Sequence, residues 1–511
     1  MNESKTLTQT EWNGLIIGIS VLFGAFVRFF PGLMTDFPLN DGGMFLSMIQ
    51  DLQESQGLLP RFTSYNQLNI PFAYPPFGFY FARFISTAFG ATEVDILRWM
   101  PPFVNTVTIL VFYLLASEIL ASRSLGALAG GFYALTPGAY GWFVMGGGLT
   151  RSFGSMFLLL SILLVLRTYK VGTVKNIALS ILYCSLAVLS HPEAGFHTAA
   201  ICLLLWFFYG RSVRSFRRAI LVGVGTLVVT SVWWLTVISY HGLAPFLSAL
   251  HTGYNGKPIW NAMMDLLIGG GIFPVLAVLR IIGIGWSIWT RRHVLLLWTI
   301  LPYLVEPRSA PSVANYPLTM MLALAFAQAI PWLASILRRK PVVTEIYKDK
   351  KINNVLLGIL IYLFIESNLY GFRLVGNSLT LGEREAMKWM EVNTPSDALF
   401  LPLTGVPSPE TDPFVEWFPA LAGRRSQSTI QGYEWLLADG FFQRYSVLSE
   451  LQRCKSVDCV EQWSQDNDLP YDYAVLTANN AKGELGRSFR MNPNYARVYF
   501  TQEVVVYEKT R

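Results

Sequence analysis

Runs of mostly apolar residues about 20 long, the length that crosses a hydrocarbon core of about 30 Å, recur along the chain. The first occupies 12–33 behind a short polar start. No small-residue cleavage site closes it, so it reads as a retained anchor rather than a signal peptide. Further runs centre on Val111, Phe132, Leu160, Leu182, Leu205, Val228, Val278, Leu297, Ala323 and Ile361. The pattern predicts a polytopic α-helical membrane protein of about eleven spans.

Two stretches break this pattern. Residues 35–96 hold acids, prolines and aromatics without a clean spanning run, which predicts an amphipathic segment lying along one membrane surface. After Phe372 the apolar density falls, and 377–511 reads as an α/β unit large enough to fold by itself. A helix is predicted over 382–393, strands over 398–403 and Tyr473–Thr477, and an alternating run over 497–508. The expected organisation is therefore a membrane domain over 1–376, whose first loop covers about 34–96, and a C-terminal domain over 377–511. No internal repeat or low-complexity segment is visible, which weighs against duplicated transporter halves.

Composition agrees. Of 511 residues 52% are hydrophobic and only 14% charged, against about 25% charged in a typical soluble chain. A net charge of +6 spread over this length excludes a nucleic-acid-binding reading. Basic residues concentrate in alternate loops, at Arg211, Arg214, Arg217, Arg218, Arg291, Arg292, Arg338 and Arg339 among others. The opposite set holds only Arg61, Arg83, Arg98, Arg151, Lys257 and Arg308. Cytoplasmic loops carry the basic excess, so a multi-pass protein of the plasma membrane is expected. Its N-terminus would be cytoplasmic, and its first loop and tail extracytoplasmic. Cys184 and Cys202 sit in apolar runs and read as inert. Cys454 and Cys459 are spaced for a local disulfide in an oxidising compartment, and two free thiols fit as well.

The chemistry-bearing residues gather on the outward side. Asp41 lies just beyond the first span and opens a helical stretch in which Phe45, Met48, Ile49 and Leu52 share one face. It has the residue type of a helix cap as well as of a base. Asp36 is a second acid nearby, but the two form no tight Asp-x-Asp pair. No metal is assigned, and Mg or Mn is the divalent ion the acids are compatible with. Arg308, in Val-Glu306-Pro-Arg308-Ser, precedes a span, where it can hold an anion or snorkel beside Glu306. Gly146-Gly-Gly-Leu-Thr-Arg151 combines glycines, a hydroxyl and a cation at a helix start, as an anion site does, although glycines also serve close packing. Arg28 lies near the outer end of the first span, where it can bind phosphate or snorkel. His191 and Glu193 close the fifth span and can line the same cavity or bond between helices. There is no Gly-x-Gly-x-x-Gly, phosphate-binding Gly-x-x-x-x-Gly-Lys loop, Cys/His metal cluster or Ser-His-Asp pattern. Nucleotide handling is not suggested.

An acid after the first span, an aromatic four residues later, the Leu-Pro60-Arg61 step and Tyr74-Pro-Pro-Phe-Gly-Phe-Tyr80 resemble the GT-C superfamily of membrane glycosyltransferases. The likeness is to its branch with protein O-mannosyltransferases and the lipid A aminoarabinose transferase. Arg98, Pro137 and Arg151 at span ends, Glu385 to Pro395 after the last span, Glu416-Trp-Phe and Gly-Arg-Arg425-Ser extend it along most of the chain. The resemblance implies transfer of a hexosyl or pentosyl group from a polyprenyl-phosphate sugar, on undecaprenyl or dolichyl phosphate, to a lipid, glycan or protein acceptor at the outer face. Asp41 matches the family's first loop acid and would be the general base, with Asp36 as the other carboxylate. Where the family often has a second acid directly after, this chain has Gly42. Arg308, with Arg151 and Arg28, would hold the donor phosphate, and Tyr74, Tyr80, His191, Glu193 and Glu306 would contact substrate. Inversion at the anomeric carbon is expected.

Two readings compete with this one. A lipid or solute transporter or flippase has the glycines at 269–271 as its warrant, and a receptor would use the membrane part only as scaffold.

Overall fold

A computed structural model describes residues 8–252, 259–268, 274–339 and 350–510. The glycines at 269–271 and Lys257 lie outside the described residues. The helices follow the hydrophobic runs: α1 (Gln9–Met34), α2 (Gly43–Glu54), α3 (Phe77–Phe89), α4 (Glu93–Ile119), α5 (Arg123–Leu135), α6 (Gly148–Lys170), α7 (Val174–Ser190), α8 (Pro192–Tyr209), α9 (Val213–His241), α10 (Ala244–Leu250), α11 (Ile259–Ile268), α12 (Val275–Trp289), α13 (His293–Val305), α14 (Ala310–Leu324), α15 (Ile330–Arg338) and α16 (Lys350–Val375). Every expected span centre falls within one of them. Among the described residues six stretches are long and apolar enough to cross a membrane: α1, α4, α6, α9, Ala310–Leu337 and Ile352–Val375. The protein is a multi-pass membrane protein. Helix ends follow local chemistry, as where the Thr8 hydroxyl and Glu11 carboxylate cap α1 reciprocally.

The first loop folds instead of lying flat. Its α2 buries Phe45, Met48, Ile49 and Leu52 on the expected face, but Met44 and Leu46 are buried too. The helix packs against α3 on one side and against a tail helix on the other, so it is enclosed by protein rather than spread along a surface. Between α2 and α3, β1 (Phe62–Thr63) and β2 (Ile70–Pro71) pair antiparallel.

The tail opens with α17 (Leu381–Asn393) and builds a five-stranded sheet. The strands β3 (Leu399–Leu403), β4 (Arg425–Ser426), β5 (Tyr473–Thr477), β6 (Tyr495–Phe500) and β7 (Val504–Lys509) take the order β4-β3-β5-β7-β6. Strand β3 runs parallel to β4 and β5, whereas β7 is antiparallel to β5 and β6. The alternating run expected over 497–508 is therefore two strands. Chain reversal at 501–503 is closed by the Thr501 N–H donating to the Val504 carbonyl at 2.9 Å.

Side-chain alternation splits the sheet into two faces. Leu401, Leu403, Ala474, Leu476, Val505 and Tyr507 join a core with the helices Phe441–Leu451 and Val457–Asp466. Phe400, Tyr473, Val475, Val504 and Val506 join a different core, shared with Phe45, Met48 and Ile49 of the first loop and with α18 (Pro413–Ala422). One apolar core thus runs from loop to tail. Cys454 and Cys459 are disulfide-bonded, and Cys184 is a buried free thiol.

Candidate active site

The chain around Asp41 is held from several directions. Arg98 of α4 donates to the Gly32 and Thr35 carbonyls and fixes the end of α1. Leu39 then bridges to Ser378, and the Asn40 N–H reaches the Asn377 carbonyl at 2.6 Å. From the start of α6, the Gly146 and Gly147 N–H groups donate to the Leu39 and Asp41 carbonyls at 2.9 and 3.1 Å. Glycine is required at 146, because a Cβ there would stand 2.0 Å from the Asp41 carbonyl oxygen. Gly42 has φ +143°, a conformation open to glycine, and Trp417 packs where its side chain would be.

The Asp41 carboxylate faces α6. Its Oδ1 accepts the Gly147 N–H at 3.0 Å, and Arg151 donates to both oxygens at 2.9–3.1 Å. The Arg151 guanidinium also lies 4.4 Å from the Trp142 ring centroid, and its Nε has no partner. Asp41 keeps 19% of its side chain open to solvent and Arg151 11%. The fork-on-fork geometry is the strong form of a carboxylate–guanidinium pair.

Asp41 is not the cap of α2, which corrects that sequence expectation. The cap is Glu416 of α18. Its Oε2 accepts the N–H groups of Gly42 and Gly43 at 3.1 and 2.9 Å, and its Oε1 that of Met44 at 3.1 Å. Burial, and then the neighbouring Asp41 charge, push the Glu416 carboxyl up to about 8 despite those three donors.

Beside this pair stands a second group. The Tyr74 hydroxyl is 3.3 Å from that of Thr150, and its ring lies 6.0 Å from both His191 and Trp435. His191 is 3.8 Å from Glu193, whose other oxygen is 4.0 Å from Arg308 Nε. Burial, with Arg151 and Arg308 adding to it, pushes His191 down to about 3, so it is a neutral imidazole. Arg308 leaves 45% of its side chain open. Burial opposes its charge, but the carboxylates of Glu193, Glu434, Glu410 and Glu306 outweigh that and hold its pKa above the ordinary guanidinium value. Glu306 does not pair with Arg308 as expected. It accepts the N–H groups of Arg308 and Ser309 and the Ser309 hydroxyl, so it organises the turn into α14.

Asp41, Arg151, Tyr74, His191, Glu193 and Arg308 are thus brought together, with Glu306 behind them. Three candidates are not. Asp36 is 66% exposed and pairs with Arg384 of the tail. Arg28 is buried inside the bundle, donating to Asn105 Oδ1 at 2.6 Å and the Ala134 carbonyl at 2.6 Å, between the rings of Tyr133 and Tyr140. At 1% exposure it is not open to a lipid phosphate. Tyr80 donates to the Gly57 carbonyl at 3.0 Å and braces the loop. Among the described residues no three His, Cys, Asp or Glu side chains converge as metal ligands. Thr150 belongs to the glycine, hydroxyl and arginine run already singled out, whereas Trp142 and the capping role of Glu416 went unforeseen, the latter because no local signal marks a contact between segments 374 residues apart.

No protein-family profile matches the chain. No curated protein matches it by sequence either. Solved structures do. The fold is shared with solved structures that are 13–15% identical to this chain. Archaeal oligosaccharyltransferase AglB from Archaeoglobus fulgidus, in complex with an inhibitory peptide and a dolichol-phosphate, superposes with a TM-score of 0.58 at 14% identity over 92% of this chain and 70% of that one. ArnT from Cupriavidus metallidurans bound to undecaprenyl phosphate gives 0.55 at 15% identity over 98% of both. The arabinofuranosyltransferase AftD from Mycobacteria gives 0.51 at 13% identity, covering 99% of this chain and 42% of that one.

Proposed function

We propose that this protein is a glycosyltransferase that moves a sugar from a polyprenyl-phosphate carrier to an acceptor hydroxyl at the outer face of the plasma membrane. The tail lies outside and the first loop carries the base. The observation that supports it best is the Asp41–Arg151 pair, a carboxylate and a guanidinium at 2.9 Å, in a fold shared with proteins captured on dolichol-phosphate and undecaprenyl phosphate.

The acceptor oxygen attacks the anomeric carbon and gives its proton to Asp41. The bond from that carbon to the phosphate oxygen breaks, and its electron pair leaves with the polyprenyl phosphate. One base on the face opposite the leaving group makes this an inverting displacement. A positioned base supplies roughly 10²–10⁴-fold, and a guanidinium aimed at the departing phosphate stabilises the charge that grows there.

The resting pairing suits this sequence of events. Gly147 holds only Oδ1 of Asp41, whereas Oδ2 is held by Arg151 alone. A donor phosphate arriving between Arg308 and Arg151 competes for the Arg151 guanidinium and frees Oδ2 for the acceptor, while Gly147 keeps the carboxylate aimed. Tyr74 and the neutral His191 present a hydroxyl, a ring and an imidazole to the sugar.

Transfer of radiolabelled sugar in membranes making wild type or Asp41→Asn at matched levels, with mass spectrometry of the polyprenyl-phosphate pool, tests the proposal. The variant should transfer nothing while the lipid-linked sugar accumulates. Unchanged transfer and lipid pools would overturn it.

A further inference from the structure

We infer that Glu416 and Trp417 of the tail are positioning residues that fix the backbone of Asp41 through the two peptide groups flanking it. The inference rests on the transferase reading. The carbonyl of Asn40, in the peptide before Asp41, accepts the Trp417 indole N–H at 2.9 Å. The N–H of Gly42, in the peptide after it, donates to Glu416 at 3.1 Å. Each peptide group is planar, so a hydrogen bond on each of the two restrains the φ and ψ of Asp41 between them. Consecutive residues of one helix turn hold both.

The clamp is itself rigid. At the start of α18, Asp412 Oδ1 accepts the N–H groups of Phe414 and Val415, and Pro413 occupies the first helical position. The Glu416 carbonyl accepts the Tyr65 hydroxyl and the Val415 carbonyl that of Thr429. Phe37 stands edge-on to Trp417 at 4.6 Å. The backbones touch: a Cβ on Gly43 would lie 2.7 Å from the Glu416 carbonyl oxygen and 2.9 Å from Trp417 Cα. Glu416 is 3% exposed and both its oxygens are committed to amides, so it has no access to substrate and acts through Asp41. The tail thereby sets the direction of the base on the membrane part, and an error of about 1 Å there costs about 10²-fold in rate.

Full-length protein in lipid vesicles, supplied with polyprenyl-phosphate-linked sugars extracted from its own host membranes, tests this with Glu416→Gln, Trp417→Phe and Asp41→Asn. Assayed above pH 8, where Glu416 is the carboxylate, Glu416→Gln turns an amide N–H toward the N–H groups of 42–44, and Trp417→Phe keeps a ring but loses the donor. Each should lower kcat by about 10–100-fold with donor KM within about twofold, and amide hydrogen exchange at 42–44 should quicken without substrate. If both variants keep wild-type kcat while Asp41→Asn is inactive, the clamp is overturned and the transferase reading stands. If kcat falls only in proportion to the folded fraction and the melting temperature falls with it, the contacts serve folding and the clamp is overturned. If Asp41→Asn transfers normally, the transferase reading fails and the clamp with it.

Discussion

Arg151 forks across both oxygens of Asp41, a residue 110 positions earlier in the chain, with contacts of 2.9–3.1 Å. The pair joins the start of α6 to the loop after α1, and neither partner is sealed from solvent. A guanidinium poised on a carboxylate can serve an incoming anion as readily as the carboxylate it rests on.

Replacing Arg151 by Gln should therefore raise the donor KM and lower kcat/KM by about 10²-fold, whereas Asp41→Asn should lower kcat with little change in donor KM. The double variant should lose less than the two losses combined, because the residues act as a unit. Steady-state kinetics over donor concentration measure both.

The two acids of the loop part company. Asp36 is exposed and its pairing with Arg384 is peripheral to the Asp41 group. An exposed pair contributes about 0–1 kcal/mol, so Asp36→Asn should retain transfer within about twofold and melt within a few degrees of wild type. A loss comparable to that of Asp41→Asn would return Asp36 to the chemistry.

Stability should depend on pH through Glu416. Its folded pKa, about 8, stands above the ordinary 4.5. Between those values the folded chain keeps a proton that the unfolded chain has released, so stability falls as pH rises through the window and levels off above about 8. Asp412, raised by burial to about 6, adds the same sign lower in the range. Asp41, with Arg151 beside it, and Tyr65 are the groups that face Glu416. Thermal unfolding in detergent at pH 5 and pH 8 should show a steeper loss for wild type than for Glu416→Gln.

The disulfide between Cys454 and Cys459, five residues apart, reports the compartment of the tail. In intact cells a membrane-impermeant maleimide should fail to label either cysteine until an impermeant reductant is added. Replacing both by Ser should cost the tail about 2 kcal/mol, the loop-closure entropy of so short a ring. Immediate labelling after permeabilisation alone would place the tail in the cytoplasm.

Periodicity carried much of this structure. The face Phe45, Met48, Ile49 and Leu52 is fully enclosed, and the strand Tyr473–Thr477 has the bounds its apolar run suggests. Residues read from their neighbours in sequence fared worse. Arg28 sits near the end of a span, where a lone arginine snorkels, but Asn105 and Ala134 arrive from two other helices and turn it inward. Asp41 reads locally as a cap because it precedes a helix, yet the Glu416 carboxylate, 374 residues beyond Gly42, takes that task and leaves Asp41 to Arg151. Partners supplied by distant segments leave no periodic trace in the chain, and here they decide which polar groups are spent and which stay open.

The most direct test is release of free polyprenyl phosphate. Purified protein in vesicles, given host polyprenyl-phosphate sugars and an acceptor-bearing membrane extract, should release it in step with sugar appearing on the acceptor. Asp41→Asn of equal folded content should release none above background. Polyprenyl phosphate released equally by wild type and Asp41→Asn, or by neither, would contradict the account.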